Sequence, residues 1–188
     1  MPHSIDALIR RIKPHKRDKR LARRPDKALP FIGGDPIAGP VMFDTTVYIH
    51  VAQAKAPPGV LATLALGGPH LHSSVCLGKI AVSLGRLNPE HEKTERRSAY
   101  LTDLLRKAPA HRVHSPTVDD WMGAGLLAGT AARLFDADER DRYRLLNDCL
   151  LLFTALREGA TLLTANVRDF DHLTQLIDGA KVVYYRAR

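Results

Sequence analysis

The stretch "NDCLLLFTALREGATLLTANVRDF", residues 147–170, carries two changes of hydrophobic pattern within one short span. Its first half completes a longer segment, residues 138–159, whose apolar residues recur at helical spacing until Gly159 ends it. "ATLLTAN" then reads as a short strand of the kind buried on both faces, and "DFDHLTQLI" as a short helix. Two acids stand out in this helix–strand–helix unit. Asp148 is flanked by Leu145, Leu152 and Leu156, which puts a carboxylate beside an apolar face, where it is costly unless partnered. Arg142, Arg144 or a backbone N–H would satisfy it. Asp169 follows the strand, where it could cap a helix beginning near Phe170.

Working outward, the same alternation repeats. "PVMFD" is a strand ending on Asp44, and "TTVYIHVAQ" starts a helix that Asp44 could cap. "HLHSSVCLGKIAVSLGRL" runs from a strand or turn into a helix with Leu77, Ile80, Leu84 and Leu87 on one face. "PEHEKTERRSAYLTDLLRKA" opens on Pro89 in a first-turn position and ends on Arg106 and Lys107, which suit a helix C-terminus. "HRVHSP" is a brief strand, "TVDDWMGAGLLAGTAARL" a helix with small residues for close packing, and "AKVVYY" a last strand. Five short strands alternating with helices predict a three-layer α/β/α sandwich on a mainly parallel five-stranded sheet. This body spans residues 41–188.

Residues 1–40 differ in kind. The first 28 hold ten Lys or Arg against three Asp, while the remaining residues are nearly balanced, 18 basic to 17 acidic. The formal net charge of +8 therefore belongs mostly to an arm. The arm has one short amphipathic turn or two (Ile5, Leu8, Ile9, Ile12) before Pro14, and a Gly/Pro-rich linker, "FIGGDPIAGP", joins it to the body. Its charge suits a flexible segment, or one ordered by a partner. Arg10, Arg11, Lys16, Arg17, Lys19, Arg20, Arg23 and Arg24 are its candidate nucleic-acid contacts, and a solubilising tail is the plain alternative. No apolar run is long enough for a membrane span and no apolar segment backs the basic N-terminus, so a cytoplasmic protein is expected. Cys76 and Cys149 sit in apolar runs without metal-ligand spacing and read as buried thiols. Trp121 and Met122 read as core or dimer-face residues.

In parallel sheets, ligand sites gather beyond the carboxyl ends of the strands. Asp44 and Asp169 fall there, and Asp148 lies on a helix that can face them. Clustered carboxylates repel unless a cation lies between them, and hard oxygen ligands without His or Cys partners favour Mg²⁺ (or Mn²⁺) over Zn²⁺. Such an ion activates water against a phosphodiester. A metal-dependent nuclease follows as the expectation.

With "MFDTTVYI", "SSVCLGKIAVSLGRL", "SPTVDDWMGAGLLAG", the 147–170 block and the closing "KVVYY" in this order, the chain resembles a PIN domain. It is most similar to the VapC-type toxins of type II toxin–antitoxin pairs, over residues 41 to about 185. The resemblance implies a Mg²⁺-dependent endoribonuclease that cleaves structured cellular RNA such as tRNA or rRNA, acts as a homodimer and is neutralised by an antitoxin protein. The family's first acid falls on Asp44, its helix acid on Asp148 and its late acid on Asp169, with Thr164 and Asn166 among the polar residues lining the same pocket.

One position departs from the pattern. Where the family has a Glu, in a motif resembling Ser-x-Val-Thr-x-x-Glu-Leu, this chain has "SSVCLGKI" and Lys79. At about 4 Å and an effective dielectric near 20, one charge pair is worth roughly 4 kcal/mol, so a reversal of charge should weaken metal binding severely. A lysine ammonium could itself take the cation's place among Asp44, Asp148 and Asp169. Two origins fit: a degenerate PIN module, or a single-base change that disarms a toxic enzyme. The competing function is a catalytically degenerate scaffold that binds RNA or a protein through the basic arm.

Overall fold

The computed structural model describes residues 5–135 and 139–188, and the side chains of 139–142, Arg142 among them, lie outside that description. So do Asp138, expected to open a helix, and residues 1–4 of the arm.

Five strands form one all-parallel sheet in the order β3-β2-β1-β4-β5. They are β1 (Val41–Phe43), β2 (His70–Ser73), β3 (Val113–His114), β4 (Thr161–Thr164) and β5 (Val182–Tyr184). Eight α-helices are described: α1 (Ile5–Ile12), α2 (Thr45–Ala52), α3 (Pro58–Ala65), α4 (Ser74–Gly85), α5 (Thr94–Lys107), α6 (Val118–Phe135), α7 (Glu139–Arg157) and α8 (Val167–Thr174). The period of two along the strands builds two cores. Val41, Phe43, Leu163 and Tyr185 pack with Val47 of α2 and Val60 of α3. Met42, Leu162, Val182 and Tyr184 point the other way, against α6, α7 and α8. This is the three-layer α/β/α sandwich. Among the described residues no helix is long and apolar enough to cross a membrane.

The strand order turns around at β1, whose neighbours are β2 on one side and β4 on the other. A crevice therefore opens at the carboxyl ends of β1 and β4, where Asp44 and Asn166 emerge.

Three expectations change. The helix expected from Pro89 starts at Thr94, because the Asn88 side chain accepts the Glu90 N–H and the His91 ring accepts the Lys93 N–H, which holds this stretch as turns. α8 is capped by Asn166, whose side chain accepts from the Asp169 N–H, so Asp169 lies inside the first turn rather than before it. The arm, expected as flexible or as ordered by a partner, is over residues 5–40 laid along the body. Ile12 is fully buried, and Leu8 stands 3.1 Å from where a Cβ on Gly123 of α6 would lie. Arg17 donates to the carbonyls of Ile12, Gln175 and Leu176. Residues 30–32 run beside β5, with the Tyr184 N–H donating to the Pro30 carbonyl and the Ile32 N–H to that of Tyr184. The arm thus covers a sheet edge that would otherwise present unpaired backbone groups.

Candidate active site

β1 delivers Asp44 to the crevice as the N-cap of α2, so the cap and the site use one carboxylate. Its Oδ1 accepts the Thr45 N–H at 2.7 Å. Its Oδ2 accepts two hydroxyls, from Thr46 and Thr164, each at 2.8 Å. The residue is 3% exposed. Thr164, at the end of β4, accepts the Asn166 N–H in turn. The Asn166 amide then bridges the other two acids, donating from Nδ2 to Asp148 at 3.1 Å and to Asp169 at 3.0 Å. Its orientation is set because its carbonyl oxygen is already used in capping α8. One chain of hydrogen bonds therefore joins Asp44, Thr164, Asn166, Asp148 and Asp169, residues drawn from β1, α7, β4 and α8.

Lys79 enters this cluster from α4. Its Nζ donates to Asp148 Oδ1 at 2.7 Å, with the Asp148 side chain 3% and the lysine 26% exposed. Burial pushes Asp148 up to about 6, which Asp44 reinforces and Lys79 opposes. Burial acts against the Lys79 ammonium, but the charge of Asp148 and its hydrogen bond hold that pKa above the ordinary lysine value. Arg144 Nε stands 3.6 Å from Asp169 Oδ2. Of the two arginines expected near Asp148, Arg144 thus serves Asp169, and Arg142 falls outside the described side chains.

These residues do not fit a divalent ion as they stand. Mg²⁺ takes near-octahedral oxygen ligands at about 2.1 Å, which requires lone pairs turned toward one point. Here both oxygens of Asp148 face donors, Lys79 and Asn166, and those of Asp44 face three more. Among the described residues no group of three His, Cys, Asp or Glu side chains is placed to hold a metal. The cationic place is filled by an ammonium.

Thr46 was not legible in the sequence as a site residue. It donates to Asp44 and accepts the Ala165 N–H, tying β1's end to β4's, and only its place two residues after Asp44 hints at this. The candidate nucleic-acid residues stand apart from the cluster. Arg11 donates to the Asp178 carbonyl, Arg23 pairs with Asp26, and Arg24 holds Asp171 through both its Nε and its backbone N–H. Asp171 and Asp169 lie roughly 200° apart around α8, so the arm grips the side of that helix away from the acids. Arg10, Lys16, Lys19 and Arg20 are exposed.

No protein-family model matches the sequence, and no curated protein matches it. Solved structures do match. A chain of VapBC2 from Rickettsia felis, bound to a DNA fragment from their promoter, superposes with a TM-score of 0.54 at 17% identity, covering 78% of this chain and 98% of that one. DNA-bound VapBC from Salmonella typhimurium gives 0.54 at 18%, covering 77% and 96%. FitAcB from Neisseria gonorrhoeae gives 0.54 at 13%, also covering 77% and 96%.

The fold is PIN-like. At these identities the likeness is one of fold.

Proposed function

We propose that the protein is a VapC-type PIN module of a toxin–antitoxin pair, built as a Mg²⁺- or Mn²⁺-dependent endoribonuclease for structured RNA and held weak or inactive by Lys79. Its partners on this reading are an RNA, a cognate antitoxin protein and a second copy of the chain. The observation that carries it is the 2.7 Å contact of Lys79 Nζ with Asp148 Oδ1, within a set of buried acids at the strand ends. The residues' own work is positional. Thr46 and Thr164 aim Asp44, Asn166 links Asp148 to Asp169, and Lys79 supplies the positive charge that lets three carboxylates share one crevice.

The test is cleavage of tRNA in Mg²⁺ by the native chain and by Lys79→Glu. The variant should cleave faster by roughly a hundredfold or more, the scale of one charge pair partly screened by solvent. Equal metal-dependent cleavage by both would remove Lys79 from the explanation. The second reading, a degenerate scaffold that binds RNA or protein, draws support from the internally satisfied carboxylates. It predicts no cleavage by either chain.

A further inference from the structure

Beside the acid cluster lies an open cleft of about 800 Å³, lined by Lys79, Ser115 and Asn147 and, over the larger part of its surface, by apolar side chains such as Val75, Val82 and Trp121. Lys79 belongs to both places: it lines the cleft and donates to Asp148. Trp121 does not pack in the core. It is 51% exposed, although tryptophan is highly buried on average and its large ring gains most from burial.

The ring stands on a rigid base. Thr117 and Asp120 form a reciprocal cap at the start of α6, the Asp120 N–H donating to the Thr117 hydroxyl and the Thr117 N–H to the Asp120 carboxylate. Arg157 of α7 donates to that same carboxylate at 2.9 Å and to the Ser115 carbonyl at 3.0 Å. One guanidinium therefore fixes Ser115, on the cleft wall, and Asp120, next to Trp121. An exposed aromatic ring on a fixed helix start, with apolar side chains, hydroxyls, an amide and an ammonium around it, matches the demands of an unpaired base, which is apolar on its faces and polar at its edges. The π-face takes the stack, and the small polar groups meet base edges or sugar.

We propose that the cleft between α4 and the start of α6 is a subsite for one unpaired nucleobase of an RNA strand, stacked on the Trp121 indole next to Lys79. It deepens the ribonuclease reading and rests on it for the identity of the ligand as RNA.

Trp121 is the single tryptophan of the chain, so its emission reports on this cleft alone. The full-length native protein is titrated, without divalent ion, with a short single-stranded RNA carrying an end label for anisotropy, and separately with duplex RNA. Quenching of Trp121 should saturate together with the anisotropy for the single strand and be absent for the duplex. Trp121→Ala should weaken single-strand binding roughly tenfold, the size of one base–aromatic stack, and Trp121→Phe should retain most of it. Circular dichroism checks that both variants fold. Anisotropy that rises while emission stays unchanged overturns the subsite and leaves RNA binding intact. No anisotropy change with either RNA overturns both. Emission that follows protein concentration and sedimentation mass alone assigns the cleft to a second copy of the chain, against the proposal.

Discussion

Lys79 and Asp148 set each other's protonation. Burial raises the Asp148 carboxyl from its ordinary 3.8 to about 6, so the folded chain takes up this proton before the unfolded chain does. Asp148's contribution to stability therefore falls as pH climbs from about 4 to about 6, then levels off. Lys79 works at the other end of the scale. Its raised pKa gives stability that is complete below the ordinary lysine value of 10.5 and is lost as pH passes through the higher folded value. Lys79→Met leaves the carboxylate buried without its cation. The Asp148 pKa should then climb above its native value, read by carboxyl ¹³C NMR across a pH series, and the variant should unfold at lower urea. An Asp148 titration that does not move would mean the pair does not form.

The helices α6 and α7 meet through a glycine. A Cβ at Gly123 would lie 2.6 Å from Phe153 Cε1 and 3.1 Å from Leu8 Cδ2, so α1, α6 and α7 close on this point. Gly123→Ala should cost about 1–3 kcal/mol by overpacking, seen as a lower denaturation midpoint. An unchanged midpoint would mean the helices part without penalty. At this scale the sequence was informative where pattern and chemistry coincide. Asp44 follows the apolar run of β1 and Asn166 and Asp169 follow that of β4, and these breaks mark the acids as candidates in the sequence alone. Helix α3 was not foreseen, since "PPGV" reads as punctuation although Pro58 sits in its first turn. The start of α5 was misplaced because Asn88 and His91 capture backbone N–H groups, a choice made by side-chain geometry rather than by periodicity. Lys79 was conspicuous only against a resemblance, and its partner lies 69 residues away on another helix.

Across the whole molecule, the basic arm is a structural strap over its described residues. Arg17 reaches carbonyls 158 and 159 residues away, Arg24 reaches Asp171, and Pro30 and Ile32 pair with β5. No local signal foretold those partners, because charge density reads the same in a docked strap and a free tail. Deleting residues 1–30 removes buried Ile12 and Leu29 and uncovers α6 and the β5 edge, so thermal unfolding should occur at a clearly lower temperature. An unchanged unfolding temperature would return the arm to the status of a tail. The arm's position away from the acids leaves the crevice itself to decide what the protein can do, and there an ammonium stands where the proposed function would place a metal. Calorimetric titration of Mn²⁺ into the native chain and into Lys79→Glu tests this most directly. The native chain should give no specific binding and the variant a saturable site lost on Asp148→Asn, whereas a saturable site of equal affinity in both would contradict the exchange of metal for lysine.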